Sequence, residues 1–324
     1  MRKALCVGIN YYAKSPKLCL DCCINDATRV ANALWRNEDG TENFKTRLLC
    51  ARNKDDAITR HMLKDELKKL FADECEVALF YYSGHGAIDE LGGYLCTSDI
   101  DRGDDGLSMD TLLGLVANSK AQHKIIILDS CHSGFAGKTT LMHNCVTLPS
   151  GTTILAACGN DQYSVEVGNH GVFTAMLLDG LNGGAMNLLG EVSPGSIYSY
   201  IESSLGSWKQ NPEFKANTNK FICLRRCKPP ITRDKLRKLK DYFNTSDHEY
   251  LLDPSYEEDK RDCPNSEVNK AHEAIFADLR KFAQLNLVVP VGEEYMYWAA
   301  VNSKACKLTA LGQYYWNLAS DSLI

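Results

Sequence analysis

The sequence predicts an α/β protein: a mainly parallel sheet with helices on both faces, followed by a small α+β module with a winged-helix-like pattern. Three observations lead there. Over residues 1–230, short apolar runs alternate with amphipathic helical stretches, and parallel strands need such crossovers. Two of the apolar runs end in reactive residues, SGHG at 83–86 and DSCHSG at 129–134. The segment CKPPITRDK at 227–235 then breaks the alternation with two prolines, as a hinge between domains would. The predicted domains are residues 1–228 and 229–324.

The elements follow in order. Lys3–Ile9 reads as a short buried strand, and Asn25–Arg36 as a helix with Ala27, Val30, Ala31, Leu34 and Trp35 on one face. Thr46–Ala51 is a second strand. Asp55–Ala72 is amphipathic, with Ile58, Met62, Leu63, Leu67, Leu70 and Phe71 on its apolar side. Val77–Ser83 is a strand running into a polar loop, SGHGAIDELGG. Ser108 can cap a helix that carries Met109, Leu112, Leu113 and Val116. Lys124–Asp129 and Thr152–Ala157 are strands, Val172–Leu181 and Ser196–Leu205 are helices, and Asn219–Leu224 is a last strand. Beyond the hinge come a helix, an acidic stretch (DPSYEEDKRDCPNSE) and a second helix around Asn269–Ala283. LVVPVGEEYMYWAAV reads as a β-hairpin turning at Gly292–Glu294, and Thr309 caps a final helix from Ala310 to Ala319.

Composition excludes several classes. The formal charge of -5 gives no basic field for nucleic acid. From residue 231 onward, 12 lysines and arginines face 15 aspartates and glutamates, whereas a DNA-binding winged helix is normally basic. The module is therefore expected to be a sensor, docking or oligomerisation unit. No run approaches the roughly 18 apolar residues of a membrane span. A cytoplasmic location is expected, and with it reduced thiols among the 14 cysteines.

The chemistry points to the two strand ends. A cysteine nucleophile needs a neighbouring base to form thiolate. Cys131 as nucleophile and His85 as acid/base form the candidate dyad, both at the carboxyl rim of a parallel sheet. Gly84 and Gly86 are read as letting the loop turn and freeing backbone N–H groups, so the N–H groups of Gly86 and Cys131 are the candidate oxyanion hole. His132 competes with His85, but sequence neighbours on an extended segment rarely converge on one point. Taken singly, a cysteine after an apolar run is an ordinary core residue and SGHG an ordinary polar loop.

YYSGHGA at 81–87 and DSCHSG at 129–134 resemble the histidine and cysteine motifs of caspase-like cysteine peptidases, of the metacaspase type. The sequence around the cysteine departs from the animal-caspase pattern Q-A-C-[RQG]-G. ALCVGINYY, CINDATRVANAL, TILAACGNDQYSVEV and HGVFTAMLLDGL resemble further metacaspase segments in the right order, over roughly residues 1–227. The resemblance implies a three-layer α/β/α sandwich with a six-stranded sheet. It also implies an acidic pocket for a P1 arginine or lysine of a protein substrate, formed by Cys23, Asp26, Ser83 and Asp129. Two carboxylates in a partly dry pocket attract a guanidinium or ammonium and repel aspartate. The plainer roles are a helix N-terminal acid for Asp26 and a strand-end acceptor for Asp129.

Many metacaspases use calcium, which makes Asp99, Asp104 and Asp105 in TSDIDRGDDGLSMD candidate ligands; a solvated acidic loop is the simpler reading, and the spacing is not an EF-hand. No cofactor is required by the motifs. Self-processing after Lys138, or at Arg225, Arg226 and Lys228, remains open beside a single-chain enzyme. The resemblance extends to a prokaryotic peptidase that stays latent until a signal reaches the C-terminal module. Bacterial relatives serve as suicide effectors in antiphage defence, switched on by a small nucleotide, and nine tyrosines and tryptophans from Tyr242 to Trp316 offer stacking surfaces or ordinary core. The rival readings are a catalytically silent scaffold and a peptidase-coupled regulator.

Overall fold

The computed structural model describes residues 1–89, 92–101, 105–131, 148–157, 171–205 and 212–324. The chain divides into two compact units, Met1–Pro229 and Pro230–Ile324.

The first unit is built on β1 (Arg2–Ile9), β2 (Lys45–Ala51), β3 (Val77–Asp89), β4 (Gly92–Leu95), β5 (Leu107–Ser108), β6 (His123–Cys131), β7 (Thr152–Ala156) and, later in the chain, β9 (Glu213–Asn217). Six of them form the main sheet in the order β2-β1-β3-β6-β7-β9. All neighbours on this path are parallel except β7 and β9. The period of two along β3 splits the core. Ala78, Phe80 and Tyr82 face one layer, with α2 (Arg60–Ala72) and α3 (Met109–Ala117). Val77, Leu79 and Tyr81 face the other, with α1 (Cys23–Trp35), α4 (Val172–Asp179) and α5 (Pro194–Leu205). This is the three-layer α/β/α sandwich. Two of its helices, α2 and α3, start at side-chain caps: Thr59 accepts from the Met62 N–H and Ser108 from the Thr111 N–H.

Two expectations for this unit change. The segment after Ser83 is not a loop. β3 runs on through His85 to Asp89 and folds back on β4, with Gly86 paired to Leu95 and Asp89 to Gly92. The last strand of the sheet is Glu213–Asn217 rather than Asn219–Leu224. The latter run buries Leu224, but its backbone is taken up elsewhere: Arg2 and Asn43 side chains donate to the Cys223 and Leu224 carbonyls, and the Leu224 N–H donates to Val192. Val192 lies in β8 (Glu191–Val192), which pairs with β10 (Arg225–Arg226).

The second unit is α+β. It contains α6 (Arg233–Arg237), α7 (Leu239–Tyr242), β11 (Glu249–Leu251), α8 (Lys270–Gln284), β12 (Val288–Val291), α9 (Met296–Val301), β13 (Ala305–Leu308) and α10 (Ala310–Ser320). Its three strands form an antiparallel sheet ordered β11-β13-β12. The expected hairpin at 287–301 is instead strand, turn and helix. Met296, Ala299 and Ala300 are buried at helical rather than alternating spacing, and the strand that returns along β12 is β13. Asp278 is buried in α8 and held by Lys235, Lys238 and the Tyr242 hydroxyl. Tyr242, Tyr250 and Tyr256 are edge-on neighbours within the interior, while Tyr295, Trp298 and Tyr314 are exposed. Among the described residues no helix is long and apolar enough to cross a membrane.

Candidate active site

The parallel register sets the site. It aligns Gly8, Ser83 and Asp129 across β1, β3 and β6, and two residues further on aligns His85 with Cys131. Neighbouring strands lie about 4.8 Å apart, so the candidate dyad occupies adjacent positions on the carboxyl rim. The Cys131 backbone is within the described strand; its side chain, His132, Gly134 and Lys138 lie outside the described residues.

His85 is 8% exposed and held from three sides. Its N–H donates to the Tyr12 hydroxyl at 2.8 Å and its carbonyl accepts from the Tyr82 hydroxyl and the Cys96 N–H. Its ring packs at 5.0 Å, centroid to centroid, from Tyr12. Nε2 lies 2.8 Å from the Leu18 carbonyl. A carbonyl can only accept, so in this contact Nε2 is the ring nitrogen that carries a proton. Leu18 ends a short 3-10 turn that begins at Pro16. Asn10 steadies the chain after it: its carbonyl accepts from the Leu20 N–H, its side-chain amide donates to the Asp21 carbonyl, and its side-chain oxygen accepts from the Ile24 N–H.

The glycines of SGHG have a different reason from the sharp turn expected of them. Neither has a positive φ. A Cβ on Gly84 would lie 2.6 Å from the Tyr82 hydroxyl and 3.0 Å from that of Tyr12, so the two tyrosines that pin His85 exclude any side chain there. Residues of a strand point their backbone groups alternately to the two neighbours. Because the His85 N–H turns to Tyr12, the Gly86 N–H turns to the seam with β6; from the other strand, the His123 N–H reaches Glu76 across that seam, and alternation turns the Cys131 N–H the same way, so both groups are taken up in the ladder that pairs His85 with Cys131 rather than left free for an oxyanion as expected.

The four candidate pocket residues come together behind this rim. Cys23 is the first residue of α1, and Asp26 lies in its first turn. Gly8 lets that turn ride on β1, since a Cβ there would lie 2.4 Å from the Cys23 carbonyl oxygen. Asp26 and Ser83 are each 2% exposed and Asp129 is 8% exposed, so two carboxylates share a nearly dry space. The Gly171 N–H donates to Asp26 Oδ2 at 3.4 Å, and the Thr174 hydroxyl donates to Asp129 Oδ2. Burial pushes the Asp129 carboxyl up to about 7; the Thr174 hydrogen bond opposes this and the Asp26 charge adds to it.

The calcium candidates have local duties. Asp99 Oδ1 accepts from the Arg60 N–H and the Thr97 hydroxyl, and Asp105 Oδ2 accepts from the Asp101 N–H. Asp104 lies outside the described residues. Among the described residues no three acidic, histidine or cysteine side chains converge as a metal site would require.

Leu18, Asn10, Tyr12 and Thr174 were not legible as site residues. Leu18 acts through its backbone, and the tyrosines resemble core. The signal for Thr174 was present: it is the one hydroxyl in the apolar helix VFTAMLLD, and it is fully buried.

A family model described as the caspase domain matches residues 1–222, about two thirds of the chain. No curated protein matches it. Among solved structures, caspase-1 from Spodoptera frugiperda superposes with a TM-score of 0.51 at 12% identity, covering 71% of this chain and 91% of that one, which shows the fold. A protein from Geobacter sulfurreducens aligns over 71% of this chain and 98% of its own at 20% identity, with a TM-score of 0.49. On the family match, with the sheet order and the histidine and cysteine strands in place, the chain belongs to the caspase-domain family of peptidases.

Proposed function

We propose that this peptidase is a metacaspase-like cysteine endopeptidase that cleaves after arginine or lysine, with Cys131 as nucleophile and His85 as acid/base. The observation that carries the reading is the register pair His85–Cys131 set directly beyond the buried acids Asp26 and Asp129. Cys131 Sγ gives its proton to His85 Nδ1 and attacks the scissile carbonyl. The N–H groups of Gly86 and Cys131 can stabilise the oxyanion once the end of the β3–β6 ladder opens to release them. His85 then protonates the leaving amine, and the thioester left on Cys131 is hydrolysed by a water that His85 deprotonates. The Leu18 carbonyl holds the imidazole through both steps and stabilises its cationic form. A P1 guanidinium or ammonium would be drawn to Asp26 and Asp129, and its charge would keep Asp129 ionised.

The second unit is the proposed receiver of an activating signal, and a nucleotide-switched role in antiphage defence is the form of this that the family resemblance suggests. A groove of about 570 Å³ on that unit supports an anionic small molecule, since Thr232, Lys235, Arg280 and Lys281 line it although the unit is acidic overall.

The deciding experiment is hydrolysis of fluorogenic peptides with P1 Arg, Lys or Asp by the native chain, Cys131→Ala and Asp129→Ala. It is run with and without calcium and with the chain ended after Lys228. Cleavage after Arg or Lys that disappears in both variants supports the dyad and the pocket. Cleavage after Asp removes the pocket reading and keeps the dyad. Turnover by Cys131→Ala removes the dyad. Activity confined to the shortened chain, or a melting shift of the full chain with candidate nucleotides, supports regulation by the second unit.

A further inference from the structure

Resting on the Arg/Lys reading above, we propose that α4 tunes the acidic pocket: Thr174 and Tyr81 are positioning residues that hold the Asp129 carboxylate for a cationic side chain, and the absent side chain of Gly171 keeps the end of the pocket open.

Two independent contacts carry this. The first is a buried hydrogen-bond chain. The Tyr81 and Thr174 hydroxyls are 2.7 Å apart, both residues fully buried, and Thr174 bonds Asp129 Oδ2. An ionised carboxylate only accepts, so Thr174 spends its single proton on Asp129 and Tyr81 donates to Thr174. Oriented this way, the chain stabilises a charged Asp129 against burial and against Asp26. A buried hydroxyl with no such task would be costly in this apolar helix.

The second is the space at Gly171. A methyl there would sit 3.3 Å from Asp129 Oδ2, 3.7 Å from Asp26 Oδ2 and 3.9 Å from Asp129 Oδ1. Among the described residues, three carboxylate oxygens thus lie within 4 Å of one point. The backbone does not call for glycine: φ is -62° and ψ 135°, which alanine adopts freely. The glycine is explained by the room it leaves.

Among the described residues, the groups that titrate around Asp129 are Asp26 and Cys23 on α1, Tyr81 on β3, and His85 and Cys131 two residues further along the rim. α4 faces it with Gly171 and Thr174, which carry no charge.

The test compares P1 Arg, P1 Lys and the uncharged P1 citrulline on wild type, Thr174→Val, Thr174→Ser, Tyr81→Phe and Gly171→Ala. Thr174→Val should raise KM for Arg about tenfold, the size of one lost hydrogen bond to a charged group. It should leave citrulline unchanged and move the acid limb of the kcat/KM profile for Arg to higher pH. Thr174→Ser should restore both, and Tyr81→Phe should give a smaller shift in the same direction. Gly171→Ala should raise KM for Arg more than for Lys, because the guanidinium reaches further. Equal losses on Arg and citrulline with an unmoved pH profile would overturn the proposal. So would failure of Thr174→Ser to rescue. If wild type shows no Arg/Lys preference, the pocket reading itself has failed. The hydrogen-bond chain is then tested separately by carboxyl NMR of Asp129 in Cys131→Ala protein: an upward move with Thr174→Val upholds it, and no move removes it.

Discussion

Asp129→Asn separates what the pocket does for the substrate from what it costs the fold. In the folded chain the Asp129 carboxyl is pushed from 3.8 to about 7, mainly by burial. That makes its ionisation harder than in the unfolded chain by about 4 kcal/mol. The sign follows from the protons. Between pH 4 and 7 the unfolded chain has released the proton and the folded chain retains it, so the folded state loses ground as pH rises through this window. Above 7 the loss is complete. Asparagine has the same shape, still accepts from Thr174, and never ionises. The variant should therefore match wild type near pH 4, gain about 1.4 kcal/mol of relative stability per pH unit, and level off about 4 kcal/mol ahead above pH 7. Urea titrations at pH 4 to 8.5, on both proteins in a Cys131→Ala background, would read this directly. Other carboxylates cancel in the difference. A difference that does not change with pH, or a variant less stable than wild type at pH 8, would refute the account of Asp129 as a buried, frustrated acid. Asp26→Asn should relieve part of the same repulsion, so the double variant should gain less than the two singles combined.

Other perturbations follow from the same geometry. Wild-type kcat/KM for P1 Arg should fall as pH drops below about 7, where Asp129 takes up its proton, while a P1 citrulline substrate keeps a flatter profile over that limb; parallel profiles would count against the pocket. Asn10→Ala should lower kcat at least tenfold with little change in KM, because it loosens the chain carrying the Leu18 carbonyl that orients His85; burst kinetics would show a slowed acylation step. The chain after Arg225 or Arg226 should resist cleavage in the folded protein. Arg225 is tied to Arg36, Leu181 and Asn182, and β10 is paired with β8, so mass spectrometry after activation should show no product ending there. Asp278→Ala should lower the stability of the second unit by about 2 kcal/mol, since it strips Lys235, Lys238 and Tyr242 of their shared acceptor; an unchanged melting curve would place little energy in that cluster.

The sheet and its rim were legible because their signals are local and periodic. Apolar runs such as KIIILDSC can hardly be other than buried strands, and α1 and α2 show their stripes plainly. Where the outcome differed, long-range partners decided. SGHG carries two glycines and looks like a loop, yet the Tyr12 hydroxyl takes the His85 N–H and β4 and β6 pair with the residues around it, so it continues as strand. The run at 219–224 looks like a strand, but Arg2 and Asn43 take its carbonyls before another strand can. MYWAAV looks like half a hairpin because aromatic and β-branched residues favour strands, while burial at Met296, Ala299 and Ala300 follows the helical period. In the site, the histidine was readable from its chemistry and the carboxylates from the family resemblance. The Leu18 carbonyl and the Gly171 space were not, since a backbone oxygen and a missing side chain leave no mark in a sequence.

The placement of His85 inside a strand has a kinetic consequence. A base carried on a loop must be frozen out of many conformations each time it acts, and that entropy adds to the barrier. Here the backbone amide and carbonyl of His85, its ring face and its Nε2 are all already engaged. The cost of ordering it was met once, when the sheet folded. On the proposed dyad, an activating event would have nothing to assemble on the histidine side of the cleft; it would have only to admit the peptide and present the sulfur.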